Sequence, residues 1–314
     1  HEKWVVGYGH ASVAEHAVLH IAIENVSRMA IECIQLNRLA SYTEKSTRYQ
    51  NWDSKAFVVP PELDGHPLKG EYKKTVKMLF KTYADSLEPA RAIIQERLPR
   101  KEGESDEFWD RRIRAKYIDA CRFLLPAAAH ANVGMTANAR VLESAIRKML
   151  SHPLAEVRQI GEKIKIAAQG EVPTLVKYAD SVSYLNETEK EFTALSKSCC
   201  APMPAREKNV QLLDYDPTAE NKILAAVLYR FGEMSFDQAL HYVESLNEEE
   251  RAEIAEKMLG NLGKFDIPLR ELEYSTYAFD LLMDQGAYYE FKRHRMMTQT
   301  PQPLTANLAY PTPS

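Results

Sequence analysis

The sequence predicts a mainly helical protein with a few short strands, organised as two units. Apolar residues recur at helical spacing through most long segments, whereas strand-like runs are confined to residues 57–59 and 210–213. A length of 314 residues exceeds that of a typical single core, so we expect two cores. Similar stretches near the two ends of the chain indicate an internal duplication.

The composition is that of an ordinary globular protein. A net charge of −4 argues against general binding of DNA or RNA. No apolar run reaches the length of a membrane span and no signal peptide is visible, so we expect a cytoplasmic protein without a membrane partner. The chain starts at His1 rather than at methionine, and we expect it to continue beyond both ends. The cysteines lack metal spacing and a C-x-x-C motif, which favours reduced thiols: Cys33, Cys121, Cys199 and Cys200.

The first half is predicted to be largely helical. A capping box at Ser12 and Glu15 predicts a helix that continues to about residue 37. The polar stretch 41–49 has no helical period and predicts an ordered loop, which leads into a short strand at 57–59. Further helices are predicted at residues 72–96, 106–128, 138–150 and 154–168.

A change of composition at 199–204 predicts a linker at residues 198–209. We therefore divide the chain into a first copy at 1–197 and a second copy at 210–314. The second copy is predicted to begin with a strand at 210–213, and its helices are predicted at 221–231, 236–243 and 248–262.

The duplication depends on the order of short motifs. Each copy has a glutamate–lysine pair, then two glycines, then a helix that ends on an arginine. The motif residues are Glu2, Lys3, Gly7 and Gly9 in the first copy, and Glu256, Lys257, Gly260 and Gly263 in the second. Two amphipathic helices of similar composition would also produce this order.

The strongest candidate for anion binding is Lys292-Arg293-His294-Arg295. Two guanidinium groups that flank an imidazole can bind a phosphate bidentately and leave the ring to stack or donate. A nucleotide or flavin phosphate fits this chemistry. RNA binding is an alternative, in which Tyr288 and Tyr289 stack on bases beside the phosphate contacts.

A second candidate combines hydroxyl groups, a carboxylate and arginines within eleven positions. Hydroxyl and guanidinium groups together can surround a phosphate, while a carboxylate accepts from a sugar or a base. A solvated turn that caps the preceding helix is the alternative. The residues are Arg38, Ser41, Thr43, Glu44, Ser46 and Arg48.

Three weaker signals come from isolated polar residues. Asn138 and Arg140 open a predicted helix, where free amides favour an anion. Arg122 is a single cation among apolar neighbours, for which a surface arginine with a buried stem is the alternative. On the predicted first helix a metal site is conceivable, although a solvated helix face is the commoner meaning and we assign no metal. The residues concerned there are His16, His20 and Glu24.

The order of these motifs resembles that of the flavin-dependent thymidylate synthase family over residues 2–178. The part from residue 210 onwards is similar to the front of another copy, so the chain resembles a tandem member. In it, Arg293-His294-Arg295 matches the arginine–histidine–arginine hallmark of the family. The first-copy motifs are Glu15-His16, Ser27-Arg28, Arg38-x-x-Ser41-x-x-Glu44-x-Ser46-x-Arg48-Tyr49, Arg122-x-x-Leu125-Pro126 and Asn138-Ala139-Arg140.

The resemblance implies an α+β fold, mainly helical with a small twisted sheet in each tandem copy, that binds FAD and dUMP at subunit interfaces. The implied reaction converts dUMP to dTMP with methylenetetrahydrofolate and NADPH as co-substrates, and it depends on orientation and polarisation of the uracil. The implied flavin contacts are His16, Arg38, Glu44, Asn138, Arg140, Arg293, His294 and Arg295. The implied dUMP contacts are Ser41, Glu44, Ser46, Arg48 and Arg122. The implied catalytic residues are Arg38, Ser46 and Arg295.

Neither copy keeps the whole family pattern. In the first copy the hallmark reads Leu36-Asn37-Arg38, Cys33 replaces a glutamine, and Met149 stands where the family has a uracil-polarising arginine, two positions from Arg147. In the second copy the residues at the dUMP loop are Thr298, Pro301, Pro303 and Thr305.

The losses in the two copies are complementary. We therefore predict a pseudo-dimer whose shared site takes the hallmark from the second copy and the dUMP loop from the first. Two chains would then form a homodimer that acts as a pseudo-tetramer. The alternative is a catalytically impaired homologue that binds flavin or nucleotide in a sensing or scaffolding role.

Overall fold

The computed structural model of the chain describes residues 11–49, 52–199 and 208–305, together with Leu308. The chain separates into two compact units, of which the first spans 1–201 and 292–302 and the second spans 202–291 and 303–314. The hallmark segment at 292–302 therefore belongs to the first unit, although the sequence assigns it to the second copy. The motif residues Glu2, Lys3, Gly7 and Gly9 lie outside the described residues, as do Cys200 and most of the predicted linker.

A three-stranded antiparallel sheet forms the centre of the first unit. Its strands are β1 (Val18–Ser27), β2 (Ser41–Glu44) and β3 (His130–Asn138), in the order β1-β3-β2. Alternate residues of each strand face the core, among them Leu19, Val133 and Met135, which are buried. Because β3 is central, β2 is an edge strand and places residues 41–44 beside the open edge of the sheet.

Six helices complete the described part of the first unit. They are α1 (Arg28–Gln35), α2 (Lys69–Arg97), α3 (Asp106–Cys121), α4 (Ala139–Leu150), α5 (Ala155–Glu171) and α6 (Ser183–Ser198). The helices predicted at 72–96, 138–150 and 154–168 are confirmed. The one predicted at 106–128 ends earlier, and a 3-10 turn at Arg122–Leu124 follows it. Residues of α1, α4 and α5 supply much of the core against the sheet.

The predicted helix from residue 12 to 37 is wrong. Residues Ala11–His16 form a 3-10 helix, β1 follows, and only α1 is helical. Leu19, Ile21 and Ile23 also alternate with period two, and burial of Leu19 and Ile23 on the sheet decides between the two periods. Asn25 adopts a φ of 56° where the register to β3 shifts, which is a bulge that turns the chain towards α1.

Two further strand predictions also need correction. The stretch predicted as a loop at 41–49 contains β2, and the central strand β3 was not predicted at all. The strand predicted at 57–59 is reduced to a single bridge between Phe57 and Ala129. Both β2 and β3 depend on pairing between residues about ninety positions apart, which local periodicity does not report.

The second unit has a two-stranded antiparallel sheet of β4 (Val210–Tyr215) and β5 (Tyr277–Leu281). Its helices are α7 (Ala219–Phe231), α8 (Phe236–Ser245), α9 (Glu248–Leu259) and α10 (Gln285–Phe291). The predicted strand at 210–213 and the three predicted helices are confirmed. Capping boxes at Ser235 and Asn247 begin α8 and α9. The fold is thus mainly helical with small antiparallel sheets, an α+β architecture.

The same short run of elements precedes Arg38 and Arg295. A 3-10 helix (Ala11–His16), β1 and α1 precede Arg38, and a 3-10 helix (Arg270–Tyr274), β5 and α10 precede Arg295. Among the described helices, none combines the length and the apolar content that a bilayer span requires.

The contact between α4 and α5 generates a stability prediction. A Cβ atom at Gly161 in α5 would lie 2.7 Å from the Cβ atom of Met149 in α4, whereas Gly170, also in α5, has nothing within 4 Å. We expect Gly161→Ala to be less stable than Gly170→Ala by about 1–3 kcal/mol, because only the first variant overpacks the core and this cost exceeds the helix propensity gained.

Urea unfolding followed by tryptophan fluorescence measures this difference for the first unit, because Trp52 and Trp109 belong to its described part. Equal free energies of unfolding for the two variants would contradict the close contact between α4 and α5.

Candidate functional site

Residues 41–44 of the predicted dUMP loop form β2, so their side chains lie on two opposite faces of the strand. Ser41 and Thr43 are exposed, whereas Tyr42 and Glu44 are half-buried. Residues of a strand alternate between faces, so Ser41 and Glu44 point to opposite sides of β2. The loop therefore does not present all of its predicted contacts on one surface.

Glu44 is held by two side chains of α1. The Arg28 guanidinium donates to Oε1 of Glu44, and Nε2 of Gln35 donates to Oε2 at 3.3 Å. The Arg28 side chain is only 10% exposed and that of Glu44 is 21% exposed. Hydrogen bonds between charged groups are stronger than neutral ones, so the orientation of this carboxylate is well defined.

A cluster of two arginines lies where β2 is followed by a 3-10 turn at Thr47–Tyr49. Nε of Arg48 and Nε of Arg122 lie 2.7 Å and 3.2 Å from the same oxygen of Asp119. Arg122 also donates to Oγ1 of Thr47 at 3.2 Å, and the Arg48 amide donates to Oγ of Ser46 at 3.3 Å. Because one carboxylate faces two guanidinium groups, the cluster keeps a net positive charge and suits a phosphate.

The hallmark segment contacts the first copy near Arg38. The Arg295 guanidinium donates to the carbonyl of Arg38 at 3.1 Å and to the carbonyl of Ala40, and it lies 5.9 Å from the centre of the Tyr42 ring. Burial raises the pKa of Tyr42 to about 12, and its hydroxyl donates to the carbonyl of Ile34 at 2.8 Å. Arg38, Arg293 and His294 are exposed.

The degenerate hallmark of the first copy has a structural role. Asn37, which stands in place of the histidine, is buried and donates to the carbonyl of Ile34 at 2.9 Å at the end of α1. Burial raises the pKa of the Cys33 thiol to about 11, so this half-buried replacement for a glutamine has little thiolate character.

The prediction that Asn138 and Arg140 open a helix is confirmed. The side-chain oxygen of Asn138 accepts from the amide of Val141 at 2.9 Å and so caps α4, while Arg140 is exposed and pairs with Glu15. His16 is exposed at the end of the 3-10 helix Ala11–His16, close in sequence to that pair.

The proposed helix face of His16, His20 and Glu24 does not exist, because His20 and Glu24 lie on β1. Nδ1 of His20 is 2.9 Å from Oγ1 of Thr136 on the neighbouring strand β3. This contact joins the imidazole of His20 to a side chain of the neighbouring strand.

Met149 is buried where α4 packs on Gly161, whereas Arg147 is exposed. Two successive positions along a helix are rotated by about 200°, so Arg147 faces away from the core position of Met149. The helix is continuous through both residues. The departure from the family pattern at Met149 is therefore accommodated by packing.

Sequence reasoning named Arg28 only as part of a motif and gave no role to Glu32 or Gln35, which lie on the same helix. Arg28, Glu32 and Gln35 lie at successive turns of α1, and the first two are buried among apolar neighbours. Charged residues on the apolar face of a short helix were the available signal. Asp119 gave no signal, because its position beside Arg48 depends on the fold.

The sequence of the chain is similar to those of several known proteins. The family described as thymidylate synthase complementing protein matches residues 1–174. A UPF0159 protein from Chlamydia muridarum is 31% identical over 98% of this chain and 61% of its own length, and one from Thermoplasma acidophilum is 25% identical over 98% of this chain and 67% of its own length. A flavin-dependent thymidylate synthase from Clostridium tetani is 28% identical over 56% of this chain and 68% of its own length.

The chain thus spans about three fifths of the Chlamydia relative. The family match covers more than half of the chain and includes β1–β3, the Asp119 cluster and the cap of α4. The resemblance in motif order is confirmed, and the chain belongs to the thymidylate synthase complementing protein family.

Proposed function

We propose that the protein binds FAD and dUMP and methylates dUMP to dTMP, with methylenetetrahydrofolate and NADPH as co-substrates. The observation that carries this proposal is the convergence of Arg48 and Arg122 on one oxygen of Asp119. The hydroxyls of Ser46 and Thr47 accept hydrogen bonds within the same cluster. Such a set of donors suits the phosphate of a nucleotide.

The role of Asp119 is to hold the guanidinium groups side by side before a phosphate arrives. A doubly charged phosphate interacts with both arginines more strongly than one carboxylate does, and the planar guanidinium group of each arginine can bind it bidentately. Glu44, fixed by Arg28 and Gln35, offers an acceptor for the base or the sugar from the same loop.

The exposed side chains that the family resemblance assigns to flavin binding suit the diphosphate of FAD. Arg38, Arg140 and Arg293 are exposed, and His16 and His294 add imidazoles that can stack or donate. When bound, FAD supplies the redox and one-carbon carrier chemistry that protein side chains lack. Asn138 and Arg295 already make protein contacts, so we expect them to orient this region.

The contact between Arg295 and Arg38 supports a tandem pseudo-dimer. The two residues are separated by 257 positions and end the equivalent runs of elements in the two copies. Residues close to a two-fold axis contact their own counterparts, and two fused copies would retain such contacts. A homodimer that acts as a pseudo-tetramer, and a cytoplasmic location, are parts of this proposal.

A binding protein without turnover is the second candidate. The observation in its favour is the burial of Met149, because the position at which the family has a uracil-polarising arginine is part of the core. Either Arg147 or another cation performs this role, or the site binds dUMP without completing the reaction.

Arginine variants test the nucleotide cluster. We expect Arg48→Ala and Arg122→Ala each to weaken dUMP binding by about 10–100-fold, because each loses charge-assisted hydrogen bonds to the phosphate. Titration of the purified yellow protein with dUMP, followed by the flavin absorbance bands, measures the affinity.

Arg91→Ala is the matched control, because it removes an arginine that pairs with Asp110 at 2.9 Å between α2 and α3. An equal loss of affinity in all three variants, or no loss in any, contradicts the assignment of the phosphate to this cluster.

Alanine at Arg293 tests the flavin part of the proposal. We expect Arg293→Ala to weaken FAD binding by about tenfold, since a guanidinium contact to the diphosphate is lost. Equilibrium dialysis against FAD measures this, with Arg270→Ala as an exposed control in the second unit. Unchanged FAD affinity in Arg293→Ala would remove the hallmark from the site.

Turnover separates the enzyme from the binding protein. We expect NADPH oxidation that depends on dUMP, together with formation of dTMP when methylenetetrahydrofolate is present. Protein that binds FAD and dUMP but forms no dTMP would show that the burial of Met149 has removed catalysis.

A further inference from the structure

Four charged side chains of alternating sign form a continuous row of ion pairs in the first unit. Glu44 contacts Arg28, Nη2 of Arg28 lies 3.9 Å from Oε1 of Glu32, and Oε2 of Glu32 lies 2.6 Å from Nζ of Lys292. This row of ion pairs connects β2, α1 and the segment 292–302. It extends from Lys292, next to the hallmark, to Glu44 in the predicted dUMP loop.

Three of these four charged side chains are largely removed from water. The side chains of Arg28, Glu32 and Lys292 are about 10%, 11% and 9% exposed. Burial lowers the pKa of Lys292, while the Glu32 carboxylate opposes that shift. Charges at this depth are screened weakly, so each one affects the positions of its neighbours.

Glu32 and Glu44 compete for Arg28. Arg28 donates directly to Glu44 but stays 3.9 Å from Glu32, which has the closer ammonium of Lys292 at 2.6 Å. If the ammonium is removed, Glu32 keeps a buried negative charge, and Arg28, at 3.9 Å, is the cation that pairs with it on α1. Electrostatic attraction then draws Arg28 towards Glu32 and away from Glu44.

We propose that Lys292 is a positioning residue that, by neutralising Glu32, keeps Arg28 on Glu44 and so fixes the carboxylate of the dUMP loop. The part of Glu44 in nucleotide binding rests on the proposed function, whereas its dependence on Lys292 does not. The hallmark segment thereby has a second use: Arg295 holds the backbone at residues 38–40, and Lys292 orders the loop that follows.

Hydrogen–deuterium exchange of the peptide that covers residues 41–48 tests the proposal without any ligand. The amide of Lys45, next to Glu44, donates to the carbonyl of Asn132 at 3.1 Å and is a direct reporter. In Lys292→Met we expect exchange in this peptide to be at least about fivefold faster than in the wild-type protein.

The double variant Glu32→Gln/Lys292→Met separates positioning from general damage. With Glu32 neutral, the charge that would draw Arg28 away from Glu44 is removed, so we expect exchange within about twofold of the wild-type rate. Lys81→Met, at an exposed lysine on α2, is the control and should leave the peptide unchanged. If Lys292→Met alone does not fold, the double variant and Glu32→Gln still measure whether the loop stays ordered.

Wild-type exchange in Lys292→Met, or exchange in the double variant as fast as in Lys292→Met, would overturn the proposal. The same variants are then titrated with dUMP, for which we expect about tenfold weaker binding in Lys292→Met and recovery in the double variant. Absence of dUMP binding in the wild-type protein would reject the proposed function, while the exchange result still decides the role of Lys292.

Discussion

The first unit depends on buried charges that compensate one another around α1. Arg28 and Glu32 both lie on the buried part of this short helix, and each needs a partner from elsewhere in the chain: Glu44 from β2 and Lys292 from the hallmark segment. Removal of one partner from a buried ion pair costs about 3–5 kcal/mol, because the other charge is left uncompensated. The requirement for compensation therefore couples three segments that are distant in sequence.

The N-terminus of α1 is fixed by a separate set of contacts, which sets the register of this charged helix. Ser27 caps α1 by accepting from the amide of Ala30 at 3.0 Å, and its own amide and hydroxyl donate to the carboxylate of Glu156 in α5. The bulge at Asn25 lets β1 turn into this cap. Strand, cap and helix together place Arg28 against Glu44, so the local geometry of residues 25–28 determines the orientation of the Glu44 side chain.

The sequence predicted α2, α4 and α5 well because their apolar period and their ends are local signals, but it did not predict α6. It did not predict β1, where two periods fit the same residues and only burial of Leu19 and Ile23 chooses between them. The motif order indicated Arg48 and Arg122 as members of one site, but their meeting at Asp119 required the fold. The pairing of Lys292 with Glu32 was equally inaccessible, since contacts between distant buried charges leave no periodic trace.

Packing explains two departures from the family pattern. Asn37 closes the end of α1 and Met149 fills the contact with Gly161, so both residues contribute to stability. An arginine at the position of Met149 would bury a charge beside the α-carbon of Gly161, at a high desolvation cost. The contact between α4 and α5 therefore favours an apolar side chain at position 149, while Arg147, two positions earlier, remains exposed.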